Sequence, residues 1–405
     1  MADDVGLRID RVGAQGDGVA TSDSGLVFVP LTLGGELVKA SVNGDRGRLV
    51  AVLESSPDRV APVCRHFGVC GGCALQHMAA PAYAKWKQEQ VVAAFRSRGI
   101  DADVSEVVAC AGKRRRAVFS AKRTSAGVAF GFHEAGSHEL ADLAMCPVVD
   151  DQIVAAFPAL RELVSPLASR RGEVRVTATW TEAGLDIALE ESGQTLTPEI
   201  RAHIAKVASQ ERFARVSICD DLAYEALAPF LTMGAAEVVL PPGVFLQAVA
   251  QAEAAMAELV VSAVGKAKKV VDLFSGVGAF TFRLAKSSKV FAADSDKVAI
   301  AALVAASKKT SGLKPVDAIV RDLFREPLSG TELNAYDAIV FDPPRAGAEA
   351  QAKMIARSKV KTVVAVSCNP ATLARDVRIL IDGGYKLESV TPVDQFQYSP
   401  HIEVV

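Results

Sequence analysis

The chain has 405 residues, half of them hydrophobic, which at the usual scale of roughly 150 residues per domain is enough for two or three domains with real cores. Lysine and arginine total 45 against 47 acidic residues, a formal charge of -2, so no global field draws the chain to a polyanion and any such contact is a local patch. Apolar stretches such as residues 300–306 and 363–366 fall far short of the ~20 residues of a membrane span. The opening Met1-Ala2-Asp3-Asp4 has no basic-then-apolar signal pattern, so a soluble cytoplasmic protein is expected, with no membrane contact and no obligate protein partner.

Residues 1–57 are rich in glycine, with short alternating runs at 26–29, 36–42 and 48–53 separated by the turn signals Gly34-Gly35 and Asn43-Gly44; they read as a small β-barrel. Pro57 and Pro62 flank the exit, placing a domain boundary near 57. Of the seven cysteines, three then crowd together as Cys64-x5-Cys70-x2-Cys73, with Gly71-Gly72 letting the chain wrap tightly. Without an export signal such clustering points to metal rather than disulfides. A fourth ligand is required. Cys146, followed by Pro147, suits an iron–sulfur centre, while zinc held by four cysteines, or by three with His66 or His77, is equally open on spacing alone. Cys110 and Cys219 have no partner at metal spacing and read as structural.

Residues 82–98 carry Ala84, Gln88, Val91 and Phe95 at helical spacing, whereas 105–235 mix short β-like runs with weaker helices and no clear period. The densest basic run, Lys113-Arg114-Arg115-Arg116 with Phe119, Lys122 and Arg123 after it, is expected on a strand that tracks phosphates. From about 240 the pattern becomes strand, turn, helix repeated, with strands at 270–274, 290–294, 318–322, 338–342 and 362–367. This argues for an open α/β sheet with helices on both faces.

The loop Asp272-Leu-Phe-Ser-Gly276-Val-Gly278 turns from a buried strand into a helix, and its glycines let backbone approach a ligand closely. Dinucleotide enzymes usually carry a third glycine where this chain has Thr281. Asp294 and Asp322 end the next two strands, positioned for ribose hydroxyls and an adenine amino group. Together these fit the adenosine half of S-adenosylmethionine better than a pyrophosphate ligand; the bland alternative is that both acids cap helices. Two turns follow at the carboxyl edge of the sheet, Asp342-Pro343-Pro344-Arg345 and Ser367-Cys368-Asn369-Pro370. The stiff Asn-Pro turn marks Cys368 as a nucleophile rather than a buried small hydrophobe. Glu403, in Pro400-His401-Ile402-Glu403, is the candidate base.

Taken together, these residues resemble the bacterial RNA 5-methyluridine methyltransferase family, especially its branch acting on 23S ribosomal RNA, over nearly the whole chain. The segment from Cys64 to His77, Cys-Arg-His-Phe-Gly-Val-Cys-Gly-Gly-Cys-Ala-Leu-Gln-His, is similar to the family's cluster motif. The resemblance implies three units: an OB-like TRAM barrel binding RNA (1–57), a central α+β iron–sulfur domain (58–235) whose helix 82–98 packs on the catalytic unit, and a Rossmann-like class I methyltransferase domain (236–405). It implies a four-iron four-sulfur cluster on Cys64, Cys70, Cys73 and Cys146. It also implies cofactor contacts from Gln247, Phe274, Asp294, Asp322 and Asp342 beside Gly276 and Gly278. Cys368 matches the family nucleophile and Glu403 the base.

The expected reaction is methylation of uridine carbon 5 in 23S ribosomal RNA through a cysteine adduct at carbon 6. The flipped base would be stacked by aromatics such as Phe396 and Tyr398. A transfer RNA T-loop uridine, or a non-catalytic iron–sulfur RNA-binding protein, are the alternatives. Two departures stand out: Val249 replaces a family asparagine, and Asp294 a family glutamate.

Overall fold

The protein is described from a computed structural model covering residues 3–23, 25–190, 196–219 and 221–405. Residues 3–54 form a six-stranded sheet, in spatial order Asp3–Arg8, Leu37–Asn43, Arg46–Glu54, Gly25–Val29, Gly18–Ser22 and Arg11–Val12. The two-residue side-chain period turns Leu7, Ile9, Ala20, Val27, Val29, Val38 and Ala40 to one side, and the sheet curls around them.

A second, seven-stranded sheet runs Leu140–Asp142, Gly127–His133, Arg116–Thr124, Val174–Thr181, Gly184–Glu190, Arg215–Ile218, Asp221–Glu225, with helices Phe157–Val164 and Pro198–Gln210 packed on its core. Its central strands are buried on nearly every residue, so the polar–apolar alternation that would announce them in the sequence is missing.

The catalytic unit is built on five parallel strands in the order Val316–Val320, Lys289–Asp294, Lys269–Leu273, Ala338–Phe341, Thr362–Ala365. In chain order this is 3-2-1-4-5, and the direction of winding reverses between Lys269–Leu273 and Ala338–Phe341, where open α/β sheets bind their ligands. Four strands end one or two residues earlier than the sequence suggests, at Leu273, Val320, Phe341 and Ala365, leaving Asp322 and Asp342 in the following turns.

Hairpin Phe230–Met233/Ala236–Val239 packs Leu231, Met233, Ala236 and Val238 against Phe282 and Leu303 of the catalytic unit. The boundary expected at 235 thus falls in the hairpin's turn. Helix Ala80–Arg96 lays Val91 and Phe95 on Leu373, Ala374 and Val377 of helix Pro370–Asp382.

Candidate active site

Asn369 caps helix Pro370–Asp382: its Oδ1 accepts the Ala371 N–H at 3.1 Å, while Pro370 occupies the first turn where no N–H is needed. Cys368 therefore sits on a backbone fixed from both sides. Ser367 exchanges two backbone hydrogen bonds with Val404, at 3.0 and 2.9 Å, in antiparallel register. The bridge brings the turn carrying Cys368 against the strand carrying Glu403, close enough for the Glu403 charge to act on the Cys368 thiol although 35 positions separate them in the numbering.

Glu403 is 3% exposed, and burial pushes its pKa up to about 7. Asp342 is raised too, by burial of its carboxyl and by the neighbouring charges of Glu403 and Asp272. Asp272, fully buried, is raised to about 7, mainly by burial. Its Oδ2 accepts the Thr281 hydroxyl at 2.6 Å, which ties the strand end to the start of the next helix. Burial and the Glu403 and Asp342 carboxyls lift the Cys368 thiol to about 11, while the Arg345 guanidinium pulls it down.

Gln247 Nε2 donates to Asp342 Oδ2 at 2.8 Å, and Gln395 Nε2 donates to both Gln247 Oε1 and Glu403 Oε1 at 2.7 Å. Neither Gln395 nor Arg345 was singled out from the sequence. Arg345 lies inside the Asp-Pro-Pro turn already recognised as functional; Gln395 carries no spacing signal.

At the glycine loop, Phe274 is left-handed (φ 61°), an unusual state for a non-glycine residue, and Gly276 and Gly278 also have positive φ. A Cβ on Gly278 would stand 2.6 Å from the Phe282 ring, so that glycine serves helix packing. A Cβ on Gly276 would project into open space, the kind of cradle an adenosine would fill. Asp294 faces it, its Oδ2 accepting Gly276 N–H and its Oδ1 Asp296 N–H, both at 2.8 Å. Helix Lys297–Lys309 is capped by Asp296, so capping does not account for Asp294. Asp322 accepts the Phe324 and Arg325 amides, and the Phe324 ring packs 5.5 Å from Phe274. The carboxyls, the open cradle and the aromatic edge fit an adenosyl sulfonium.

Cys64, Cys70, Cys73 and Cys146 line one small pocket, beside His66 and Arg114. Among the described residues no three His, Cys, Asp or Glu side chains close to the spacing of a single bound ion. Four thiols lining one pocket are a donor set of the kind that holds iron–sulfur groups or zinc. His77, buried against Phe67, does not line it.

The basic run departs from expectation. Lys113 pairs with Asp151, Arg115 with buried Glu253, and Arg116 and Arg123 donate to backbone carbonyls. Arg115 and Arg116 thereby tie the start of the central sheet to residues 243–253, while the pairs of Lys113 and Arg123 stay within the central unit. Arg114 lines the cysteine pocket, with its guanidinium 5.8 Å from the Phe396 ring. Tyr398 packs on Tyr83, and Phe396 lies beside His401.

Residues 236–405 match the family described as tRNA (uracil-5-)-methyltransferase. An RNA methyltransferase of Brucella suis biovar 1 is 48% identical over 98% of this chain and 96% of that protein. The 23S rRNA (uracil(1939)-C(5))-methyltransferase of Chromohalobacter salexigens is 32% identical over 98% of this chain and 88% of that protein. The crystal structure of Pyrococcus abyssi tRNA (uracil-54, C5)-methyltransferase, in complex with S-adenosyl-L-homocysteine, superposes with TM-score 0.74 at 21% identity, covering 99% of both chains. The chain belongs to the RNA methyltransferase family of these relatives and is an S-adenosylmethionine-dependent enzyme of that class. No helix among the described residues is long and apolar enough to cross a membrane.

Proposed function

We propose that the enzyme methylates carbon 5 of a uridine in 23S ribosomal RNA, with Cys368 as nucleophile and Glu403 as base. The observation that supports this reading is the Ser367–Val404 bridge, which joins the turn carrying Cys368 to the strand carrying the buried Glu403, whose charge acts on the thiol. Carbon 5 of uracil is too weak a nucleophile alone. The Cys368 thiol, after losing its proton to solvent with the help of Arg345, adds to carbon 6 and turns the ring into an enolate. S-adenosylmethionine, when bound, supplies the electrophilic methyl group. Glu403 then takes the proton from carbon 5, the carbon–sulfur bond breaks, and Cys368 leaves as thiolate.

For the cofactor we assign Gln247, Phe274, Gly276, Gly278, Asp294, Asp322 and Asp342. For a four-iron four-sulfur cluster we assign Cys64, Cys70, Cys73 and Cys146, whose thiolates would supply its anchoring bonds; iron and acid-labile sulfide in equal amount in the purified protein are expected, and zinc in their place would contradict it. The curled sheet at residues 3–54 serves RNA binding in this reading, and the work is done in the cytoplasm.

The 23S target is favoured by the relative from Chromohalobacter salexigens, which aligns along nearly the whole chain. Transfer RNA is the second reading, favoured by the name of the matched family. Incubation with labelled cofactor and a mixture of unmodified 23S and transfer RNA transcripts, followed by mass-spectrometric mapping, decides: label at a 23S uridine is expected, and label confined to a T-loop uridine would move the assignment to transfer RNA.

A further inference from the structure

We propose that Gln395 is a positioning residue for methyl transfer: its amide holds Oε1 of Glu403, leaves Oε2 alone to receive the carbon 5 proton, and joins that base to the Gln247–Asp342 pair. This rests on the reading of Cys368 and Glu403 above. Gln395 is 2% exposed and lies between strands Pro392–Asp394 and Glu403–Val404. The hydrogens of its Nε2 go to Glu403 Oε1 and Gln247 Oε1, each at 2.7 Å, and its own Oε1 accepts the Val249 N–H at 3.4 Å.

Gln247 passes the pattern on, donating to Asp342 Oδ2. The direction of every amide follows, since a flipped Gln395 would set its carbonyl oxygen against both a carboxylate and another carbonyl. Among the described residues Glu403 Oε2 has no hydrogen-bond partner although it is buried. An oxygen enclosed without a donor is a strong acceptor for an arriving proton. When that proton moves from carbon 5 to Oε2, the carbon–sulfur bond breaks and its electron pair returns to Cys368; the Gln395 bond to Oε1 is unchanged by the step.

The loop around Gln395 is held as firmly as the amide. Lys87, buried on helix Ala80–Arg96, pairs with Asp394 at 2.5 Å and donates to the carbonyls of Phe396 and His401 at 3.1 and 2.6 Å. The groups facing Glu403 are Gln395 from this loop, Cys368 from the turn between strand Thr362–Ala365 and helix Pro370–Asp382, and Asp342 from the turn after strand Ala338–Phe341. The Gln395 hydrogen bond is the contact that opposes the effect of burial on Glu403.

The test uses the full-length Gln395→Met chain, which keeps side-chain length and loses both N–H groups, with Gln395→Leu as a second donor-free variant should the first fail to fold. Each is mixed with S-adenosylmethionine and unmodified 23S and transfer RNA transcripts. Formation and decay of the detergent-stable protein–RNA complex are timed from pH 6 to 9. The expected result is adduct formation at close to the wild-type rate, decay slowed about 10- to 100-fold, and an acidic limb of the decay profile displaced to higher pH. A complex that decays as fast as in the wild type, or formation and decay that fall by one common factor with no displaced limb, overturns the role of Gln395 alone. A complex that persists when Cys368→Ala is added overturns the covalent reading, and this inference with it.

Discussion

Glu403 gathers at one residue several of the forces that set this site. Burial raises its proton affinity, Gln395 lowers it, and Asp342 and Cys368 each feel its charge. The sign of the stability effect follows. With a folded pKa of about 7 against 4.5 unfolded, the folded chain binds more protons than the unfolded one between those values, so this group's contribution declines as pH rises through that window. Glu403→Gln removes the titration. Thermal melting of the ligand-free variant against the wild type is expected to show the variant gaining relative stability from about pH 4.5 to 7; a constant difference across the window would contradict the raised pKa.

At this scale the sequence was legible in part. Cys368 is marked by the Asn-Pro turn that the structure shows as a helix cap. Gln395 was not legible, because its partners Gln247 and Glu403 reach it from opposite directions and only the fold brings them together.

The strand-loop-helix element at Asp272 assigns separate duties to its two glycines, and substitutions separate them. Gly278→Ala forces a Cβ to 2.6 Å from the Phe282 ring at φ 100° and is expected to cost about 1–3 kcal/mol of stability, read as a lowered unfolding midpoint. Gly276→Ala meets nothing within 4 Å. Its φ of 52° strains an alanine, so a backbone cost of about 1–2 kcal/mol is expected without any steric clash, together with S-adenosylhomocysteine binding weakened at least about tenfold by calorimetry. Binding intact in Gly276→Ala would contradict the cradle.

These parallel strands could be read directly because they run as short apolar segments ending near acids. The seven-stranded sheet could not. Strands such as Gly184–Glu190 bury both faces and lose their alternation, and Arg215 spends its charge on Asp186 inside the sheet.

The whole molecule is held by contacts that cross its units. Glu253 accepts Arg115 of the central sheet at 2.6 Å and Arg283 behind the glycine loop at 2.9 Å, with its own side chain 2% exposed. Removing it leaves two guanidinium groups without their buried partner. Glu253→Ala is therefore expected to destabilise the chain by about 3–5 kcal/mol in denaturant unfolding; a loss under about 1 kcal/mol would show the clamp to be incidental. The charges of this run were plain in the sequence, but their partners were not. An arginine run gives the same signal whether it meets a phosphate or a carboxylate from a distant helix.

The central claim is that a Cys368–carbon 6 bond forms during turnover, and the most direct measurement is trapping it on RNA transcribed with 5-fluorouridine. Fluorine at carbon 5 cannot leave as a proton, so elimination is blocked after methyl transfer. The account predicts a detergent-stable complex of one RNA per chain that requires S-adenosylmethionine and is absent from Cys368→Ala, which also fails to methylate ordinary RNA. Undiminished methylation by Cys368→Ala, or methylated fluorinated RNA released with no complex, would contradict it.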